Sequence, residues 1–168
     1  MGRARAVKPE LEDKLLRKHP RIFRQHDLPM NQTCMCWGMD CMDGWFNIID
    51  LLCANIQHHL DWHNGEGEFD YNRERNEKNP DHIPIAQVEA TQVKEKFGGL
   101  RFYLQGGDDY IEGMVQMAEA LSERTCEHCG NPGVSRSTGW IRTLCDRCHE
   151  HWDEIRAGKW DLAKGKDQ

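Results

Sequence analysis

The sequence predicts an α+β fold that ends in a small cysteine-rich module. Apolar residues recur at helical spacing over residues 43–62 and 106–124, and residues 85–104 alternate as two strands around Gly98-Gly99. Two Cys-x-x-Cys pairs follow near the C-terminal end. These patterns indicate helices packed on a β-hairpin, with a terminal module held together by its cysteines.

A chain of 168 residues is long enough for one modest core and a satellite module. Six Trp and regular apolar spacing argue against disorder, although charged residues make up 30% of the chain. No apolar run approaches the roughly 20 residues that span a bilayer, and the basic start lacks the apolar region of a signal peptide. We therefore expect a soluble, cytoplasmic protein with no membrane contact, in which paired cysteines bind metal rather than form disulfides.

Charge divides the chain into three parts. Residues 1–30 form a basic arm and helix, with eight Lys/Arg against four Asp/Glu. Residues 31–123 form an acidic α+β body with six Lys/Arg against seventeen Asp/Glu. Residues 124–168 form the cysteine module and a terminal helix, with eight Lys/Arg against seven Asp/Glu. Because an acidic body repels phosphate backbones, nonspecific binding of nucleic acid by the whole chain is disfavoured.

The N-terminal helix is predicted over residues 8–25, with Pro9 in its first turn and a kink or an end at Pro20. Its apolar stripe comprises Leu11, Leu15, Leu16, Ile22 and Phe23. The next helix, capped by Asp43, is the clearest amphipathic segment. Its buried face is predicted to comprise Trp45, Ile48, Ile49, Leu52, Cys53, Ile56 and Leu60.

Residues 63–84 are predicted to form a long polar loop, because they are rich in Gly, Asn and charge. In the hairpin that follows, one face is predicted to consist of Leu100, Phe102 and Leu104. A helix capped by Asp108 then leads into the first cysteine pair. Its buried stripe is predicted to comprise Ile111, Met114, Val115, Ala118 and Leu121. A short terminal helix over residues 149–157 is expected to end at Gly158.

The strongest motif is C-x2-C-x15-C-x2-C, formed by Cys126, Cys129, Cys145 and Cys148. A two-residue gap lets both thiolates of one pair reach the same ion, and the spacing predicts a zinc-ribbon or treble-clef-like module with one Zn²⁺ per chain. Four thiolates complete the tetrahedral coordination, so no position remains for an activated water. We therefore predict a structural zinc, with His149 and His151 close by or at the surface.

A basic, aromatic segment lies between the two cysteine pairs, where Arg136, Trp140 and Arg142 occur with no acid. It is a candidate for contact with phosphate or with an acidic partner. The alternative is a solvated loop in which Trp140 packs over the zinc.

A second candidate surface lies on the hairpin, where Lys94, Lys96 and Arg101 flank Phe97 and Tyr103. An aromatic ring at this place can stack on a base, and the paired glycines allow close approach of a ligand. The alternative is a hairpin whose glycines only make the turn and whose basic residues are solvated.

Cys34, Cys36 and Cys41 form a second, irregular cysteine cluster. It could donate three ligands to a second metal site, with His26, His58 or His59 as the fourth. The alternative is a set of ordinary thiols, as expected for Cys53 on an apolar stripe.

"LCDRCHEHW" resembles the end of HNH endonucleases, and "NPDHIP" resembles the catalytic segment of that family, with His82 as general base. In the family that segment lies between the two cysteine pairs, whereas His82 precedes both. The Asn usually found before the second pair is also absent. A metal-dependent nuclease is therefore kept only as an alternative.

"CEHCGNPGV" and "LCDRC" resemble the zinc finger of DksA/TraR-type regulators of RNA polymerase, which also follows a helix. Those proteins carry a long coiled coil with an acidic tip, and no heptad run of that length occurs here. The likeness implies a type of zinc module and no partner.

The wider resemblance is to a family of small uncharacterised proteins of tailed bacteriophages and prophages. It is carried by "DGWFNIIDLLC", "ATQVKEKFGGLRFY", "TCEHCG" and "RTLC", in the same order, across residues 40–150. The loop at 63–84 and the Cys34/Cys36 pair lie outside the shared pattern. The resemblance implies a phage-encoded accessory protein in the host cytoplasm and supplies no mechanism.

The sequence thus favours a non-enzymatic phage accessory protein that binds a host macromolecule, to modulate transcription or block a defence system. An acidic body favours a host protein as partner. Direct binding of nucleic acid is the alternative, and an HNH-like nuclease is the second alternative. Nothing in the sequence predicts an oligomeric state.

Overall fold

The computed structural model describes residues 7–137 and 139–160. The helices in this part of the chain are α1 (Pro9–Lys18), α2 (Phe46–Asn64), α3 (Tyr71–Glu77), α4 (Asp109–Ser122), α5 (Asp146–Glu150) and α6 (Trp152–Arg156). The strands are β1 (Glu89–Lys96), β2 (Gly99–Gln105), β3 (Val134–Ser137) and β4 (Ile141–Leu144). Strand β1 pairs with β2 and strand β3 pairs with β4, each pair forming an antiparallel hairpin. The α+β class is confirmed.

The main core lies between α2, α4 and the β1–β2 hairpin. The predicted face of α2 is confirmed, since it is buried at Trp45, Ile49, Leu52, Cys53, Ile56 and Leu60 and partly buried at Ile48. Burial of a large apolar side chain stabilises a fold by roughly 1.5–3 kcal/mol, so this face contributes much of the core. Hairpin residues Leu100 and Phe102 pack against it, as predicted, with Leu104 at its edge.

The start of α2 differs from the prediction. A short 3₁₀ turn over residues 43–45 precedes the helix, and the side chain of Asp43 does not cap it. Instead the Asp43 carboxylate accepts a hydrogen bond from the backbone N–H of Lys8 at 2.8 Å and lies 3.0 Å from Lys8 Nζ. Asp43 therefore anchors the segment that leads into α1.

The N-terminal helix ends just before Pro20, which is one of the two outcomes predicted at that residue. Pro9 occupies its first turn, as expected, and α1 ends at Lys18. Pro20 cannot continue a helical hydrogen-bond ladder, and the chain turns there. Ile22 and Phe23 are nevertheless buried in the main core. Residues 1–6 of the predicted basic arm lie outside the described residues.

The turn of the β1–β2 hairpin lies one residue earlier than predicted. Lys96 pairs with Gly99, so Phe97 and Gly98 are its central residues, with φ angles of 54° and 82°. Two positive φ angles are typical of a type I′ turn, which matches the twist of the flanking strands. Phe97 consequently adopts a left-handed conformation that is uncommon for a residue other than glycine, and its side chain is exposed.

Both outer edges of this hairpin are covered. On β2, the N–H groups of Leu100 and Phe102 donate to side chains of α4, namely Ser122 Oγ at 2.8 Å and Glu119 Oε1 at 3.1 Å. On β1, Asp40 exchanges two backbone hydrogen bonds, accepting from the Glu95 N–H and donating to the carbonyl of Val93. Neighbouring segments therefore satisfy these four outward-facing backbone groups of the hairpin.

Residues 63–84 are not simply a loop, because they contain α3 and a 3₁₀ turn over residues 67–69. Asparagine side chains hold this segment against the end of α2. Asn72 donates to the carbonyl of Trp62 and Asn76 to that of His63, while Asn64 bonds both backbone groups of Ile85. The composition that suggested a loop thus supplies the hydrogen bonds of a folded segment.

Helix α4 begins as predicted, because Asp108 Oδ1 accepts a hydrogen bond from the backbone N–H of Ile111 at 3.0 Å. The other carboxylate oxygen of Asp108 lies 2.9 Å from His59 Nε2, which joins the cap to α2. The predicted terminal helix is divided into α5 and α6 by a break at His151, and Gly158 (φ 68°) follows α6. Residues 161–168 lie outside the described residues.

Replacement of Asp108 by Ala is expected to destabilise the fold by about 1 kcal/mol, because α4 loses its N-cap acceptor. Chemical denaturation measures the change in the free energy of unfolding. Gln116→Ala, on an exposed face of the same helix, is the control and is expected to stay within about 0.5 kcal/mol of the wild type. Equal effects of the two substitutions would contradict the capping role.

No helix among the described residues is long and apolar enough to cross a membrane.

Candidate metal centre

The four cysteines of the C-x2-C pairs converge at one point. The sulfur atoms of Cys126, Cys129, Cys145 and Cys148 all lie within 4.8 Å of one another, and those of Cys129 and Cys145 are 3.6 Å apart. Four sulfurs at about 2.3 Å from a tetrahedral zinc would be separated by about 3.8 Å. The cluster can therefore hold a metal ion with little rearrangement.

Each cysteine pair is shaped by local hydrogen bonds. In the first pair, Gly130 (φ 78°) donates its N–H to the Cys126 carbonyl at 2.9 Å, and Asn131 accepts from the Cys126 N–H at 2.7 Å. In the second pair, the Cys148 N–H donates to Cys145 Sγ at 3.4 Å, which places Cys145 at the N-cap of α5. Two turns, one before a hairpin and one at the start of a helix, thus present all four sulfurs.

Hydrogen bonding and burial shift the pKa values of three of the four cysteine thiols. Hydrogen bonding from the Cys148 thiol and from nearby backbone N–H groups lowers the pKa of Cys126 to about 4, against the opposing effect of burial. The hydrogen bond to Cys126 and burial raise the pKa of Cys148, and burial raises that of Cys129 to about 11. One thiolate suppresses ionisation of its neighbours, so full deprotonation of the cluster requires a cation.

The cluster is joined directly to the main body. Trp45 Nε1 donates to the Thr125 carbonyl at 2.9 Å, and the Gly44 N–H donates to the Glu127 carbonyl at 2.8 Å. A side chain at Gly44 would overlap the carbonyl oxygen of Cys126, so only glycine fits at this contact. The first cysteine pair therefore rests on the start of α2.

A buried ion pair lies beside the cluster. Arg142 Nη1 donates to Glu127 Oε2 at 2.6 Å, and the exposed fractions of the two side chains are 2% and 1%. The guanidinium carbon is also 4.8 Å from the centre of the Trp152 ring. The prediction that Arg142 contacts a partner is thus wrong, because its charge is used inside the protein.

The rest of the predicted basic segment is also engaged. Arg136 forms an ion pair with Asp146, and Trp140 Nε1 donates to Glu95 Oε2 at 3.1 Å. Trp140 thereby connects the second hairpin to the first instead of covering the cysteines, where Trp152 and Trp160 pack. The acidic partners, Asp146 and Glu95, lie outside the segment between the two cysteine pairs, which contains no acidic residue.

The candidate residues on the first hairpin are more accessible. Phe97 and Tyr103 are exposed, and the ammonium groups of Lys96 and Lys94 lie 5.5 and 5.3 Å from the centres of their respective rings. Arg101 instead lies toward α4, where its guanidinium is 3.7 Å from Glu119. The structure therefore brings Lys94 and Tyr103 together and directs Arg101 elsewhere.

The three cysteines Cys34, Cys36 and Cys41 do not come together as a second metal site within the described residues. Cys41 is buried in the main core, Cys34 is exposed, and the Cys36 thiol donates to the Thr33 carbonyl at 3.2 Å. Among residues 7–137 and 139–160, the four C-terminal cysteines are the one group of three or more potential ligands close enough to share a metal. Cys53 is buried as expected, and burial raises its pKa.

Comparisons with known proteins give no relative. No protein-family model matches the chain, and neither the curated proteins nor the solved structures contain a match.

His82 lies in a polar pocket at the end of α2. Its ring centre is 4.9 Å from that of His63, and the pocket is also lined by Arg75 and Asp81. His82 is remote in sequence from the four cysteines, and it is not part of a metal-binding group within the described chain.

Two features of the site were missed at the sequence level. His128 Nδ1 lies 3.4 Å from Cys148 Sγ, within reach of a thiolate, whereas the expected neighbour His151 stacks on Trp160. Glu127 supplies the buried charge that holds Arg142. Both residues lie between Cys126 and Cys129, a position that places them near the cluster but does not identify the atoms that they contact.

Proposed function

We propose that this chain is a non-enzymatic phage accessory protein that binds a host macromolecule, and that its four cysteines hold one structural Zn²⁺. The observation that carries the metal part of the proposal is the convergence of four sulfur atoms within 4.8 Å. A tetrahedral set of thiolates suits zinc or iron, and zinc needs no redox partner. With four protein ligands the ion keeps no open position for substrate, so its role is to stabilise the fold.

The order of elements supports a treble-clef-like interpretation of the module. The first cysteine pair lies on a turn, the β3–β4 hairpin follows, and the second pair occupies the first turn of α5. The ion would join this unit to the body, because Gly44 and Trp45 bond the first pair while Thr143 Oγ1 donates to the Gly98 carbonyl at 2.6 Å. The zinc then holds the two hairpins in a fixed relation.

A host protein is the partner that the charge distribution favours. The body carries a large excess of acid, and two of the basic residues predicted to face a partner, Arg136 and Arg142, are paired internally. Phage origin rests on the resemblance of the four sequence segments. One observation supports the alternative of direct nucleic-acid binding, namely the exposed Tyr103 ring beside Lys94.

Metal analysis of the purified protein is expected to find about one zinc per chain. Reconstitution with Co²⁺ should give intense thiolate-to-metal charge-transfer absorption, which reports the sulfur ligands directly. Iron at one atom per chain would correct the identity of the ion. A metal-free protein with the same thermal transition as the purified form would overturn the metal proposal.

Binding is tested with the zinc-loaded protein immobilised and exposed to bacterial lysate with and without nuclease treatment. We expect a saturable bacterial protein to remain after nuclease treatment. Retention of nucleic acid that weakens steeply with salt, and weakens further in Lys94→Glu, would instead support the nucleic-acid alternative. Retention of neither would contradict the proposed function.

A further inference from the structure

An apolar groove lies between α2 and α4 and belongs to no site described above. It has a volume of about 580 Å³ and is lined by Ile48, Leu51, Tyr110, Met114, Met117 and Leu121. Leu51, Tyr110 and Met117 are more than 60% exposed, and Leu121 is 50% exposed. Large apolar side chains grouped in this way mark an interaction surface.

Helix α4 carries two apolar stripes. Its core stripe contains Ile111 and Ala118, which are buried. The second stripe, Tyr110, Gly113, Met114, Met117 and Leu121, faces the groove and includes two residues that were predicted to be core, Met114 and Leu121. Positions 110, 113, 117 and 121 recur every three or four residues, so this stripe runs straight along about 16 Å of the helix.

Gly113 leaves a gap in the middle of the exposed stripe. A Cβ added at this residue would meet no atom within 4 Å, so nothing in the fold itself requires glycine here. Glycine inside a helix costs about 1 kcal/mol relative to Ala. The gap therefore weakens the isolated helix while leaving room for another apolar side chain to approach its backbone.

The stripe is complementary to itself about Met117. Gly113 and Leu121 lie four residues before and after Met117, and Asp109 and Arg124 lie eight before and seven after. In an antiparallel pair of α4 helices, the leucine of each copy would therefore meet the glycine gap of the other. The acidic start of each helix would meet the arginine that follows the end of the other.

We propose that α4 pairs with α4 of a second copy of this chain, antiparallel and about a two-fold axis near Met117. Leu121 of one copy fills the gap over Gly113 of the other, while Arg124 faces Asp109. Leu51 of α2 extends the contact on each side. Asp109 and Arg124 are exposed and form no ion pair within the described residues, so both charges are available to the second copy.

Sedimentation analysis of the zinc-loaded protein over a range of concentrations tests this dimer. The wild type is expected to self-associate to a dimer. Gly113→Leu should weaken the dimer at least about tenfold while keeping or raising thermal stability, because leucine favours the helix and fills the gap. Gly113→Ala, which adds only a methyl group, is the matched control and should weaken the dimer less.

Substitutions at the proposed contact between Asp109 and Arg124 provide a second, independent test of the dimer. Arg124→Glu is expected to weaken the dimer, and Asp109→Arg combined with Arg124→Glu is expected to restore it. A wild-type protein that stays monomeric at all concentrations would overturn the proposal. So would a dimer that neither Gly113→Leu nor Arg124→Glu affects, since the contact would then lie elsewhere.

Discussion

Removal of the proposed zinc is expected to unfold the C-terminal module. Structural zinc in small modules contributes an apparent binding free energy of about 10–16 kcal/mol, which is comparable to the entire stability of a domain. Without a cation, the four sulfurs that now lie within 4.8 Å of one another cannot all ionise. The small second core, which comprises Cys126, Leu144, Cys148 and Ile155, has too little apolar area to hold the module alone.

Hydrogen exchange before and after treatment with a zinc chelator measures this effect. Protection should be lost at the amides of Glu127, Gly133 and Cys148, whose hydrogen bonds belong to the module. Cys126→Ser should reproduce the loss, whereas Cys34→Ser, at an exposed cysteine outside the cluster, should leave protection unchanged. Unaltered protection in chelated protein would show that the fold does not depend on the ion.

Loss of Arg142 is expected to be the most damaging change outside the metal ligands. Arg142→Met leaves the Glu127 carboxylate in the interior without its guanidinium partner, which costs about 3–5 kcal/mol for a buried pair. Glu127 and Thr143 are also joined through the backbone at 2.9 Å, so strain at this pair reaches β4 directly. Denaturant titration of the zinc-loaded protein measures the change in the free energy of unfolding.

A double-mutant cycle separates loss of the pair from loss of packing. Arg142→Met combined with Glu127→Leu should recover much of the stability, because two apolar groups replace two charges. Arg136→Ala removes an ion pair with the exposed Asp146 and should cost no more than about 1 kcal/mol. A single substitution at Arg142 no more harmful than that control would contradict the structural role of the buried pair.

The cysteine site could be predicted from the sequence because its information is local. A fixed gap between two thiols determines that they reach one ion, whatever surrounds them. Arg142 shows the limit of the same reasoning. Its partner, Glu127, lies fifteen residues away in the chain, and nothing in the intervening segment indicates that the two charges are buried together. A basic residue two positions from a tryptophan, as Arg142 is from Trp140, is compatible with either a surface or an interior position.

Two predictions about the fold, the position of the hairpin turn and the loop at residues 63–84, differ from the structure because of contacts between distant parts of the chain. Paired glycines predict a turn at Gly98-Gly99, but the register puts Phe97 at the first central position, which side-chain propensity disfavours. The asparagines of residues 63–84 favour a loop in isolation, whereas in the folded chain they bond to the end of α2. Tertiary contacts override local preference in both cases.

In the predicted buried stripe of α4, Leu121 is 50% exposed, whereas Met114 is partly buried against the main core. Periodicity shows that a helix has an apolar face but not which apolar residue meets the body when the face is wide. Helix α4 has apolar residues on more than half of its circumference, and the core covers only part of them. The apolar residues of α4 that remain exposed are identified by their solvent exposure and not by their spacing in the sequence.

The covered edges of the β1–β2 hairpin have a consequence for synthesis. The atoms that cover β2 belong to Glu119 and Ser122, which are translated after the strand itself. Until α4 leaves the ribosome, the nascent chain presents a complete hairpin with one open edge, the type of surface on which strands of other chains add. Aggregation is therefore a hazard of the unfinished chain, and folding of α4 ends it.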